Sequence, residues 1–294
     1  MAGILWFLGI SFGLAWGSWE FAIQSGVGVS SWQFQTYAVV GGFAPAIAAF
    51  VVRKWITREG FSDAQLGIPR QHWRYFLLAW LLPLAVVGAI VAQAMLFGIG
   101  DPDFTLSRAA ADGVAGRSTA GLDRLGWLIV PQVMLVAIAA TPLFFGEEFG
   151  WRGYLQARLY PGRPVAAALV TGIIWAVWHY PVTLRGYNYP DHPVLGSLLF
   201  IPITVLLSFL FDWLRRRTGS IWTASLAHAA TNSIGSLAML WFAGTPGPTV
   251  ASFGGLLAIG PLLLICLLAW LSDRRRAGCA DRTGDVRTAA TRPG

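Results

Sequence analysis

The chain is short of charge, almost without lysine and nearly without cysteine. Only 12% of its 294 residues are Asp, Glu, Lys or Arg, about half the share of roughly 25% in soluble domains. Hydrophobic residues make up 55%, and the mean hydropathy is positive. These values exclude a soluble globular domain and an intrinsically disordered chain, and they define an integral membrane protein. The two cysteines, Cys266 and Cys279, exclude a disulfide framework and a cysteine metal cluster. The first apolar run has neither a basic n-region nor a small-residue cleavage site, so it reads as a span rather than a signal peptide. No internal repeat is visible, which argues against the two similar halves of a transporter.

The fold expected is all-α, a polytopic transmembrane bundle of about eight spans near 3–23, 33–52, 75–98, 125–146, 164–182, 194–214, 221–243 and 251–271. Each run is about 20 residues, enough to cross a hydrocarbon core about 30 Å thick. The net charge of +7 does not read as a nucleic-acid surface, because the basic residues follow the connections. Arg53, Lys54, Arg58, Arg70 and Arg74 lie between spans two and three. Arg152, Arg158 and Arg163 lie between four and five, Arg215, Arg216 and Arg217 between six and seven, and six more in the tail. The alternate connections hold only Arg108, Arg117, Arg124 and Arg185. The positive-inside rule then places both termini and the arginine-rich connections in the cytoplasm. Arginine in place of lysine points to a prokaryotic plasma membrane.

Four regions follow. Residues 1–124 form supporting spans and a solvated external loop (99–124, with Asp101, Asp103, Asp112 and Asp123). Residues 125–245 form the core that carries chemistry, 246–276 a final span, and 277–294 a disordered cytoplasmic tail touching anionic lipid.

Polar residues able to do chemistry concentrate in that core, in three patterns: Glu147-Glu148-x-x-x-Arg152, Trp175-x-x-x-His179 and His228-x-x-x-Asn232. Ionisable groups at membrane depth are costly, so they pair, face wet cavities and mark function. Residues four apart share a helix face. Arg152 therefore lies over Glu148, and Glu147, rotated by about 100°, faces a cavity. Trp175 is expected to stack on His179 and hold its ring. Spans four and five turn at Pro161-Gly162-Arg163-Pro164, which puts Glu147 and His179 each about 21–23 Å from the turn and level with one another. A single intramembrane histidine more often bonds a neighbouring helix, and a lone Asn232 is helix–helix glue. The joint occurrence of the three patterns is what argues for a site. His72 and His192 read as surface residues, and Glu20 as solvated near the outer interface.

In this order and spacing, the patterns resemble those of the CAAX-protease and bacteriocin-processing family of intramembrane endopeptidases, which includes the CAAX prenyl protease 2 type. The resemblance covers about 140–240, with Trp175 where Phe is more usual. It implies peptide-bond hydrolysis. Glu147 with His179 would hold and deprotonate a water, and His228 and Asn232 would donate hydrogen bonds to the oxyanion. Glu148, Arg152 and Trp175 would position them. A zinc variant would instead use Glu147, His179 and His228 as metal ligands, although the compact His-Glu-x-x-His signature is missing. The expected partners are the lipid bilayer and a peptide or membrane-protein substrate, prenylated or a precursor, entering from the cytoplasmic side or the bilayer. The rival from another class is a non-proteolytic immunity or scaffold protein, or a transporter.

Overall fold

The computed structural model describes residues 2–111 and 126–290. Asp112, Arg117, Asp123 and Arg124 of the long loop lie outside the described residues. The described chain is helical, with no strand among its residues. Its main helices are α1 (Ala2–Gln24), α2 (Trp32–Gly42), α3 (Ala44–Val51), α4 (Trp73–Leu96), α5 (Ile129–Gly150), α6 (Pro164–Trp178), α7 (Pro193–Thr218), α8 (Ile221–Trp241) and α9 (Leu256–Ala290). Each of the eight expected runs is helical. Six helical stretches, Ala2–Gln24, Trp32–Ile56, Arg70–Leu96, Gly126–Arg158, Pro193–Thr218 and Pro248–Arg276, are long and apolar enough to cross a membrane. The shorter α6 and the serine-, threonine- and histidine-bearing α8 are the other two, so an eight-span count rests on pattern rather than on length and hydropathy. The protein is a multi-pass membrane protein.

Local signals explain the boundaries. Pro164 and Pro193 open α6 and α7, where a missing N–H costs nothing. The Ser31 and Ser220 side chains accept from Phe34 N and Trp222 N to cap α2 and α8. Gly219, at φ 66°, ends α7 in the left-handed conformation that glycine adopts without penalty. The last helix runs on to Ala290, through most of the tail expected to be disordered. A helix already nucleated in a span propagates easily, and the Arg and Ala of the tail are good helix formers.

Hydrogen bonds group the ends of the helices into two faces. On the arginine-rich face, Arg53 pairs with Asp63 at 2.7 Å and Arg158 with Glu59 at 2.7 Å. Ser220 Oγ donates to Gly67 O, and Ile221 N to Gln65 O. The Arg53 hydrogen bond holds the Asp63 carboxyl below its ordinary range. On the opposite face, Arg185 pairs with Glu20 at 2.8 Å, Asp103 N donates to Trp241 O, and Tyr189 Oη donates to Gly254 O. Arg152, assigned to a connection on sequence, is instead buried at 0% exposure within the bundle, because its partner Glu148 is there.

Candidate active site

The carboxylate pair lies on α5 where that helix crosses the break between α2 and α3. Gly146 and Gly150, four apart, permit the crossing. A Cβ on Gly146 would lie 2.9 Å from Gly42 O, and one on Gly150 2.6 Å from the Pro45 carbonyl. Small residues at this spacing let membrane helices approach backbone to backbone. Between those glycines Glu147 and Glu148 point different ways. Directly beyond lies a π-helical turn, Trp151–Leu155, a type of irregularity that accompanies functional sites.

Glu148 is sealed and tethered. Its Oε1 accepts from Arg152 Nη1 at 2.8 Å, with both side chains at 0% exposure, as the i,i+4 spacing predicts. The guanidinium also donates to Ser208 Oγ at 3.1 Å and lies 4.3 Å above the Trp175 ring and 5.0 Å from that of Phe211. Glu147 instead lines a cavity of about 460 Å³ shared with Trp175, His179, His228 and Asn232. The three motifs thus converge on one space, as the level match across the hairpin predicts for Glu147 and His179.

Two details differ from expectation. Trp175 does not stack on His179. The rings meet edge to face, 5.8 Å apart at 61°, and the His179 ring is held by a 2.9 Å bond between its Nδ1 and the Trp175 carbonyl. The indole Nε1 instead donates to Glu147 Oε2 at 2.8 Å. Trp175 therefore ties the Glu147 carboxylate and the His179 imidazole together, one through its side chain and the other through its backbone. The ring that lies roughly parallel to His179 is Trp19, at 6.4 Å and 27°.

The second difference concerns His228. Its Nδ1 lies 2.8 Å from Glu148 Oε1, the oxygen that already accepts from Arg152. That oxygen can only accept, so Nδ1 carries the hydrogen and neutral His228 presents a lone pair at Nε2. The Trp175 carbonyl imposes the same tautomer on His179. The oxyanion donor role expected of His228 is therefore open to it only as the imidazolium. Phe144, Trp175 and Phe211 pack around its ring at 4.6, 5.1 and 5.5 Å.

The zinc alternative fits these positions poorly. Among the described residues no group of three His, Cys, Asp or Glu side chains is disposed to hold a metal ion. Each Nδ1 donates to an oxygen acceptor, which leaves Nε2 as the one lone pair on either imidazole, and Glu147 Oε2 accepts from the Trp175 indole, which leaves Oε1. The cavity also draws on residues that the sequence did not mark: Trp19, Phe34, Gln35, Tyr187 and Asn188. Trp19, Phe34 and Gln35 come from α1 and α2, outside residues 125–245. Tyr187 and Asn188 carried one signal, the run Tyr187-Asn188-Tyr189-Pro190, aromatic and polar, shortly after His179.

Fold and site define a multi-pass membrane protein with a carboxylate–imidazole centre in its interior. Residues 125–234 match the family described as type II CAAX prenyl endopeptidase Rce1-like. The chain is also 32% identical over 85 residues to CAAX prenyl protease 2 of Methanococcus maripaludis, a stretch covering 28% of this chain and 28% of that protein. The family resemblance carried by the three motifs is thereby borne out over the core that holds them.

Proposed function

We propose that the chain is an intramembrane endopeptidase of the CAAX-protease type. The observation that carries this reading is the convergence of Glu147, His179, His228 and Asn232 on one cavity, above a sealed Glu148–Arg152 pair. A water held between Glu147 and the bare Nε2 of His179 loses a proton to Glu147 as its oxygen attacks the scissile carbonyl. The Asn232 amide donates to the oxyanion without needing any change of charge. His228 joins it as a donor in the state that carries a second proton at Nε2, its imidazolium supported from below by Glu148, and keeps that proton, while Glu147 passes the proton taken from the water to the leaving amine as the C–N bond breaks. Each water consumed yields one carboxylate and one amine terminus. No metal enters these steps. The orientation with both termini in the cytoplasm belongs to the same reading and is supported by the arginine distribution.

The relative's name supplies the first substrate to try, a prenylated Cys-a-a-X peptide, with unprenylated precursor peptides beside it. The decisive variant is Glu147→Gln, nearly isosteric and unable to act as a base. Its hydrolysis should fall by a factor on the order of 10²–10⁴ while the protein stays folded. Undiminished cleavage by Glu147→Gln sinks the proteolytic reading and returns the chain to the non-enzymatic membrane class.

A further inference from the structure

His179 stands at a break in its helix. α6 ends at Trp178, a separate turn, Tyr180–Thr183, begins directly after His179, and Pro181 has no N–H with which to carry the helix on. A side chain at such a break is not aimed by helix geometry alone. Within its own segment the imidazole is held by one hydrogen bond, from Nδ1 to the Trp175 carbonyl at 2.9 Å, and a single bond leaves a pivot. The rings of Trp178 and Phe200 meet the imidazole at 89° and 82°, so neither lies flat on it.

The further constraints come from α1. Trp16 Nε1 donates to the Trp178 carbonyl at 2.9 Å, at the break itself, and Trp178 Nε1 donates back to Ser11 O at 3.4 Å. A turn further along α1, the Trp19 indole lies nearly parallel to His179, at 6.4 Å and 27°, and meets Trp178 at 4.6 Å and 66°. Trp19 is itself fixed. It is buried, and its Nε1 donates to Tyr37 O at 3.1 Å. It is seated on Gly41 of α2, where a Cβ would overlap the indole nitrogen. The next glycine, Gly42, faces Glu147. A Cβ there would lie 3.8 Å from Oε1, the carboxylate oxygen that Trp175 leaves free. α1 and α2 thus close on both members of the Glu147–His179 pair, although both helices lie outside the residues that match the family, 125–234.

We propose that Trp19 is a positioning residue for His179: seated on Gly41, it covers one face of the imidazole and keeps the bare Nε2 in the cavity that Glu147 lines. Its own N–H is spent on Tyr37 O, so it offers His179 an aromatic face and no donor that would compete for the Nε2 lone pair. A ring free to pivot about its Nδ1 bond would spend time with Nε2 turned from the attacking water. Misplacement by about 1 Å at a reacting centre can cost about 10²-fold in rate. The effect on rate rests on the hydrolytic reading; the holding of the ring does not.

The test uses the full chain in detergent micelles, in a His72→Gln, His192→Gln background, so that only His179 and His228 report in imidazole nitrogen NMR. In the parent His179 should show one state, with its hydrogen on Nδ1 and Nε2 bare. Trp19→Leu removes the flat ring. It should give averaged His179 signals and lower kcat by about 10²-fold, with little change in KM. Trp19→Phe keeps a ring on that face and should preserve the single state and most of kcat. Gly41→Ala displaces the indole without altering any residue of the centre and should act as Trp19→Leu does, which keeps the question decidable where Trp19→Leu does not fold. A single His179 state in either folded variant overturns the proposal, whatever the rate. Averaged signals with kcat unchanged overturn its consequence for catalysis, and a loss confined to KM assigns Trp19 to substrate binding instead. Averaged signals in a chain whose cleavage survives Glu147→Gln confirm the hold on the ring and overturn the hydrolytic reading alone.

Discussion

Replacing Arg152 with methionine keeps much of the side-chain volume and removes the guanidinium that faces Glu148 at 2.8 Å in a region of zero exposure. What remains is a buried carboxylate with only His228 Nδ1 against it. Breaking a buried pair from one side costs about 3–5 kcal/mol, because the surviving charge keeps its desolvation penalty. The lost bond to Ser208 and the stacking on Trp175 act in the same direction. The informative control is Glu148→Gln together with Arg152→Met. The glutamine oxygen still accepts from His228 while the charge is gone, and the unpaired amide hydrogens cost about 1–3 kcal/mol. The double variant should therefore recover about 2 kcal/mol of what Arg152→Met loses. Stability would be read from denaturant unfolding in detergent micelles, followed by circular dichroism, with all variants in one micelle composition. A double variant no more stable than Arg152→Met would refute the claim that an uncompensated Glu148 charge dominates the cost, leaving packing on Trp175 as the larger contribution.

Three further outcomes follow from the site. Asn232→Ala, which removes the donor available in every protonation state, should lower kcat by about 10²–10³ with a smaller change in KM; equal loss in both would assign Asn232 to binding. Trp175→Phe removes the 2.8 Å bond to Glu147 but keeps the backbone carbonyl that holds His179. Losing about 1–1.5 kcal/mol should slow hydrolysis about ten-fold, and an unchanged rate would show that Glu147 is positioned without the indole. Treatment with a chelator that removes stoichiometric metal should leave activity unchanged, and zinc re-addition should not raise it; loss on chelation with recovery on zinc would revive Glu147, His179 and His228 as ligands.

The parts of the site legible in the sequence are those set by helical spacing. Glu148 and Arg152 meet because they are four apart on one helix, and Glu147 departs from them by the rotation of a single residue. Spans four and five turn at Pro161-Gly162-Arg163-Pro164, so the depths of Glu147 and His179 follow from counting along the chain. The contacts that spacing does not govern were out of reach. His228 and Glu148 are 80 residues apart, and their hydrogen bond depends on how α8 lies against α5, which no local pattern encodes. Trp175 was given the ring-stacking partner that i,i+4 geometry offers, yet its indole N–H needs an acceptor when buried, and the nearby carboxylate outcompetes an imidazole face. Trp19 escaped notice because a lone tryptophan in a membrane helix reads as interfacial anchoring.

The same distinction separates what charge counting reports from what packing reports. Arginines in connections report how the chain is inserted, a property of its loops. The buried arginines report something else. Arg152 and Arg215 lie within helices and are held by Glu148 and Asp212 at 2.8 and 2.7 Å; with Gln156 and Ser208 they fill the end of the bundle nearest the arginine-rich face. An arginine within such a network closes a route, whereas one in a loop only marks a side. Counted together, they make the arginine-rich face look like the working face. Separated by burial, they place the polar plug on that side of Glu147 and the cavity on the other.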